Sequence, residues 1–176
     1  ATVFKDLGAD VVVSGGQTMN PSTESILAGV DKIPAETVFI LPNNGNIIMA
    51  AQQCSALTEK HVVVIPTKTV PQGITAMMNV DFESPDPESI TEAMTQSLSS
   101  VTTAQITYAA RDSEFDGFHI KEGDYLALQE GKLFGTDTSI EALLAKLAAE
   151  AVSRSAEFVS LYFGEDVAEE DAQQAA

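Results

Sequence analysis

The stretch that decides the fold is His61-Val-Val-Val-Ile65-Pro-Thr-Lys-Thr-Val-Pro-Gln-Gly73, an apolar run that breaks directly into a polar, proline-marked loop. The run is continuous, not alternating, and rich in β-branched residues. That pattern predicts a strand buried on both faces, as in a parallel sheet. Two earlier runs repeat it: Asp10-Val-Val-Val-Ser14 and Thr37-Val-Phe-Ile-Leu41. Helical spacing fills the gaps. Ile26, Leu27, Val30 and Ile33 form one stripe, with Asn20 or Ser22 as the cap and Pro21 suited to the first helical position. Ile47, Ala51, Cys54 and Leu57 form a second stripe, capped by Asn44 or Asn46, and a short helix follows Pro71. Strand and helix alternating in this way predict right-handed β-α-β units.

Outward from this core the pattern changes. Asp86-Pro87 opens a helix with Ile90, Ala93, Met94, Ser97, Leu98 and Val101 on one face. Residues 103–135 then read as short antiparallel strands at Gln105–Ala109, Phe118–Ile120, Tyr125–Leu128 and Lys132–Phe134. Asp116-Gly117, Glu122-Gly123-Asp124 and Glu130-Gly131 supply the turns, so a small meander is expected. Thr138-Ser-Ile-Glu141 reads as a capping box for a helix striped with Ile140, Leu143, Leu144, Leu147, Ala148 and Ala151. Phe158–Phe163 reads as a further buried strand, and a polar helix begins near Val167. The expectation is a doubly wound α/β domain with a mostly parallel sheet and a small antiparallel meander. Its divisions are a core at 1–102, the meander at 103–136 and a returning helix, strand and acidic tail at 137–176.

Each early strand runs into a turn-rich loop: residues 14–23, 41–46 and 65–73. In an open parallel sheet these loops share the edge at the strands' carboxyl ends, where ligands usually bind. Gln17, Asn20, Asn43, Asn44, Asn46 and Gln72 offer amides there, and Thr18, Ser22, Thr23, Thr67 and Thr69 offer hydroxyls. Lys68 is the one cation of these loops, and helix starts add positive potential. An uncharged or anionic group, or a partner surface, suits this chemistry. The same residue types also simply cap helices and build turns.

The chain carries 26 acids against 9 bases, a formal charge of −17, which disfavours nucleic acid and anionic membrane surfaces. No apolar run reaches the length of a membrane-spanning helix. The single cysteine, Cys54, excludes an internal disulfide and fits a reducing cytoplasm. No Walker loop, dinucleotide fingerprint, nucleophile elbow or zinc motif is present. His61 and His119 lack ligand spacing. Asp112-Ser-Glu-Phe-Asp-Gly117 has the start of a calcium loop, but Gly123 stands where a bidentate Glu is required. Arg111-Asp112 is a candidate ion pair or interface contact. With no acid/base pair or activated nucleophile in view, a stand-alone enzyme is the weakest reading.

Gly15–Thr23, Ile40–Ile47 and Val64–Gly73 together resemble the carboxy-terminal domain of the bacterial fatty acid kinase A subunit. Such proteins are often described as dihydroxyacetone kinase-like. Tyr108-Ala-Ala-Arg-Asp112, Ile120-Lys-Glu-Gly-Asp124 and Tyr162-Phe-Gly-Glu-Asp166 extend the resemblance over nearly the whole chain. The resemblance implies an architecture like that of DegV-like (EDD-type) acyl carriers. It implies a longer, homodimer-forming cytoplasmic protein whose amino-terminal kinase domain uses ATP and magnesium, cofactors this chain would not itself hold. It further implies that this domain engages a DegV-like acyl-binding protein whose fatty acid is phosphorylated. Gln17–Thr23 and the Asn-rich loop correspond to where such carriers hold a carboxylate, so direct fatty-acid binding is the alternative. Gly45 departs from the larger residue, often Lys, of many relatives. Relatives also continue past Gly-Glu-Asp into a helix and a Gly-Gly-Gln-Pro strand, so we expect this chain to be one domain of a longer product.

Overall fold

A computed structural model describes residues 2–15, 20–83, 86–115, 117–164 and 167–175. The chain divides into two compact units, Ala1–Thr103 and Ala104–Ala176. The architecture is mixed α/β, with one short parallel sheet in the first unit and two small antiparallel sheets in the second.

In the first unit, α1 (Thr2–Asp6) precedes the segment 11–15, and α2 (Thr23–Asp31) follows. Strand β1 (Thr37–Ile40), a 3-10 turn (Gly45–Ile47), α3 (Ile48–Gln53), a second 3-10 turn (Cys54–Ala56) and β2 (His61–Val64) come next. Helices α4 (Val70–Met78) and α5 (Pro87–Ser97) complete it, with a closing 3-10 turn at Leu98–Ser100. Strands β1 and β2 pair in parallel, Thr37 opposite His61 and Ile40 opposite Val64. Successive side chains of a strand face opposite ways, and each face has its own core. Ile40, Val62 and Val64 pack against the buried trio Ile26, Ala51 and Cys54 of the α2–α3 layer. Phe39, Val63 and Ile65 join Ala76, Met77 and Met94 of the α4–α5 layer. Both faces are covered, which is why these strands are continuous apolar runs.

Three expectations change here. The run 10–14 forms no strand among the described residues: residues 11–15 make no ladder. Val11 and Val13 instead lie against Gly29 of α2, where a Cβ would stand 2.8 Å from Val13 Cγ2. β-Branched residues favour extended backbone, but a strand also needs a neighbouring edge to pair with. Among the described residues the expected doubly wound, mostly parallel sheet is represented by two parallel strands. Pro21 lies before the cap of α2, not inside the helix, because Ser22 takes the cap.

In the second unit, β3 (Ala104–Tyr108), β6 (Tyr125–Gln129) and β7 (Lys132–Asp137) form a three-stranded antiparallel sheet in the order β3-β6-β7. Strands β4 (Ser113–Phe115) and β5 (Phe118–Ile120) make a separate hairpin between β3 and β6. The expected consecutive meander is therefore interrupted: β3 skips the hairpin and pairs with β6. Gly117, Gly123 and Gly131 hold positive φ, as their turns require. Helix α6 (Ile140–Ser153) lies on β6 and β7. Its cap is Ser139, not Thr138, and the Ser139 hydroxyl accepts from the Ala142 N–H and bonds Glu141 Oε2 at 2.6 Å. Residues 158–163, expected as a buried strand, are exposed and unpaired. Helix α7 (Glu169–Ala175) follows, with Ala172 buried.

Candidate functional site

The parallel pairing of β1 and β2 sends both strands out at one edge, and the Ile65 N–H continues the ladder by donating to the Ile40 carbonyl. The two following loops therefore meet. The Asn43 N–H donates to the Thr67 hydroxyl at 2.9 Å, and Thr67 is fully buried. Asn43 sits at φ +57°, the left-handed region that Asn tolerates better than other non-glycine residues. Its side chain presses on Gly73 in the first turns of α4. A Cβ on Gly73 would fall 2.0 Å from Asn43 Oδ1, so any larger residue there would force the Asn43 amide to move. Asn43 Oδ1 is itself buried without a hydrogen-bond partner among the described residues.

The third loop is braced by its own side chains. Gln72, buried, turns back so that its Oε1 accepts the Lys68 N–H at 2.8 Å. Thr69 caps α4 by accepting from the Gln72 N–H, and its hydroxyl also bonds the Thr103 hydroxyl at 2.9 Å. The loop before α2 reaches the same edge: Asn44 Nδ2 donates to Asn20 Oδ1 at 3.4 Å. Asn44 Oδ1 caps the 3-10 turn through the Asn46 N–H. Ser22 caps α2 through the Ser25 N–H, and the Thr23 hydroxyl donates to Gln53 Oε1 at 3.0 Å.

The structure thus joins Asn20, Asn43, Asn44, Asn46, Thr67, Lys68, Thr69 and Gln72 along one edge, with Ser22 and Thr23 leading into α2. Gln17 and Thr18 lie outside the described residues. Arg111 is exposed in the second unit and makes no ion pair among the described residues. Asp112 instead accepts the Glu122 N–H at 2.8 Å. Two clefts of the first unit lie elsewhere: one is lined by Pro34–Thr37 and Glu59–His61, another by His61, Val63 and residues of α5 from Pro87 to Gln96. His61 opens β2, so both sit toward the opposite end of the strands. Cys54 is fully buried behind the edge; its thiol lies near the Thr23 and Ala50 carbonyls, and burial raises its pKa.

The family of C-terminal domains of fatty acid kinase A-subunit-like (FakA-like) proteins matches residues 1–176. The chain belongs to that family. Protein YloV of Bacillus subtilis (strain 168) is 43% identical over 176 residues, covering 99% of this chain and 31% of YloV. An uncharacterised protein of Staphylococcus epidermidis (strain ATCC 12228) is 39% identical over 170 residues, and one of Staphylococcus aureus (strain USA300) is 36% identical over 164. These cover 94% and 93% of this chain, and 30% of each relative. The chain thus spans about a third of the length of the relatives it matches.

For this FakA-like C-terminal domain, the geometry adds residues that sequence reasoning missed. Gly73 makes room for Asn43, and Thr103 anchors the cap of α4. Residues 41–46 read as a turn-rich loop, but nothing in the sequence paired Asn43 with Gly73. Met49 and Val70 stand in the first turns of the two helices that leave this edge, 72% and 46% exposed. The loops 20–23, 41–46 and 65–73 contain no acidic residue in a chain of net charge −17.

Proposed function

We propose that this chain is the docking domain of a fatty acid kinase subunit, holding a separate DegV-like acyl-binding protein at the strand-end edge. In this reading a kinase domain elsewhere in the longer protein phosphorylates the carrier's fatty acid, using ATP and magnesium. Among the described residues no three carboxylate, histidine or cysteine side chains gather to hold a metal ion, so we derive no metal-dependent step here. We further read the two-stranded parallel sheet, covered by helices on both faces, as part of a DegV-like doubly wound architecture. The family membership, a cytoplasmic location and homodimerisation of the longer protein belong together in this reading.

The observation that carries the docking role is how the edge uses its polar groups. Ser22, Asn44 and Thr69 are helix caps, Thr67 and Gln72 are buried braces, and Asn43 is wedged on Gly73. Met49, Val70 and Lys68 face outward beside loops that carry no acidic residue. Methionine is enriched at protein interfaces, and rigidity lowers the ordering cost of binding. A small-molecule reading of the edge is less well supported, because Asn44, Thr67, Thr69 and Gln72 already use their amides and hydroxyls in the fold.

Calorimetry with the cognate acyl-binding protein tests the proposal. Met49→Asp and Val70→Asp are each expected to weaken binding at least about tenfold, roughly 1.4 kcal/mol. Leu57→Asp, an exposed apolar position after the far end of α3, serves as the control. Equal losses from all three variants, or no binding by the unmodified domain, would refute it.

A further inference from the structure

The largest unexplained feature is the segment Phe158-Val-Ser-Leu-Tyr-Phe163. It is uncharged, rich in aromatic and branched residues, and open to solvent; Phe158 is 90% exposed and Val159 76%. A contiguous apolar stretch of this kind marks an unmade contact. Its composition is that of a strand.

The second unit holds a matching vacancy in its pairing. β7 is the last strand in the order β3-β6-β7, so its outer edge has no ladder partner among the described residues. The stretch between its charged ends, Leu133-Phe-Gly-Thr136, carries no charge to discourage pairing. The chain leads back to that edge. β7 has 6 residues, about 20 Å of strand. α6 has 14 residues, about 21 Å of helix, enough to return the chain to the level where β7 began. Residues 154–157 then form a short connection. A strand reached through a helix in this way runs parallel to the one before it, by a right-handed crossover.

The helix itself is under-used. α6 rests on β6 and β7, yet its only fully buried side chain is Leu143. Leu144 and Leu147 are half-buried and Val152 is 78% exposed. A strand added beyond β7 would widen the sheet beneath this stripe. A strand added beyond β3 would lie two strands away from the pair that α6 covers.

We infer that residues 158–163 close onto the outer edge of β7 as a fourth, parallel strand, so that this segment is a closing strap of the second unit. The occupant of the β7 edge is thus a segment of the same chain, chosen by connection length and by the placement of α6.

Hydrogen-exchange mass spectrometry on the 176-residue chain tests this. The 158–163 amides are expected to exchange at least about 100-fold slower than an unstructured peptide, independently of protein concentration, and β7 amides are expected to gain protection with them. Alternate N–H groups of a strand face its neighbour. Leu161→Pro and Tyr162→Pro should therefore cost protection along β7 unequally. Exchange at the unstructured rate overturns the inference. So does protection that appears only as concentration rises, which would make a second copy the partner, or protection gained along β3 and not β7. The unmodified chain decides the question even if a proline variant fails to fold.

Discussion

The two units solve the same problem differently. The first covers both faces of a two-stranded sheet and holds both apolar core clusters among the described residues. The second rests one helix on a three-stranded sheet and leaves aromatic residues such as Tyr108, Phe115 and Phe118 exposed. The difference teaches where rigidity is placed. The polar edge belongs to the unit with two covered faces, where buried Thr67 and Gln72 can be fixed by neighbours. The open segment belongs to the unit whose larger sheet is covered by a single helix.

Core truncation should separate the units most strongly. Ile65→Ala is expected to cost about 2–5 kcal/mol, and Leu143→Ala a value at the low end of that range, because the single helix layer can relax. Urea unfolding can follow each unit, since all three tyrosines, Tyr108, Tyr125 and Tyr162, lie in the second. Tyrosine fluorescence reports that unit, while far-UV dichroism reports both. Equal costs would break the comparison.

A glycine pair comes next. Gly73→Ala is expected to lose about 1–3 kcal/mol, since the new Cβ overlaps the Asn43 amide. Gly135→Ala should stay within about 1 kcal/mol, because its Cβ meets only Leu143 Cδ2 at 3.9 Å, an ordinary contact. Thermal melts of both variants test the contrast. Cap removal is smaller and should be alike in both units: about 1 kcal/mol each for Thr69→Ala and Ser139→Ala. A larger loss for Thr69 would identify its bond to Thr103 as the additional element.

Acid pH should distinguish the units by sign-defined steps. The Ser89 hydroxyl, then the Glu88 and Ser89 N–H groups, lower the Asp86 pKa at the start of α5. Lys146 lowers that of Asp137, and the Ser139 hydroxyl lowers that of Glu141, around the start of α6. A lowered folded-state pKa means the fold favours the charged form. The contribution is therefore present above the ordinary carboxylate range near about 4 and is lost as pH falls through the folded value. Asp137→Asn should flatten the acid limb read by tyrosine fluorescence and leave untouched the part due to Asp86. The smallest effect is chemical: buried Cys54, its thiol pKa raised, should alkylate at pH 8 only as fast as the first unit opens.

Much of the fold was legible. The runs ending in Leu41 and Ile65 became a parallel pair because each is apolar on both faces, and Asp86-Pro87 opened α5 because a capping carboxylate followed by proline has few other uses. The convergence of the Asn43 and Lys68 loops followed from that pairing. Glycine turns located the hairpins of the second unit. The same kind of evidence failed at Val11–Val13 and at Phe158–Phe163, which have strand composition but no strand partner among the described residues.

The amino-acid sequence by itself determined the local grammar: which stretches extend, which coil, where caps and turns fall, and the family to which the chain belongs. Those choices depend on residues within a few positions of one another. Only the tertiary structure decided that β3 skips a hairpin to reach β6, that Asn43 needs a glycine thirty residues later, and that the polar edge spends its amides on itself. Pairing and close approach join residues far apart in the chain. Their energies depend on which surfaces meet, and that information lies in no single stretch of sequence.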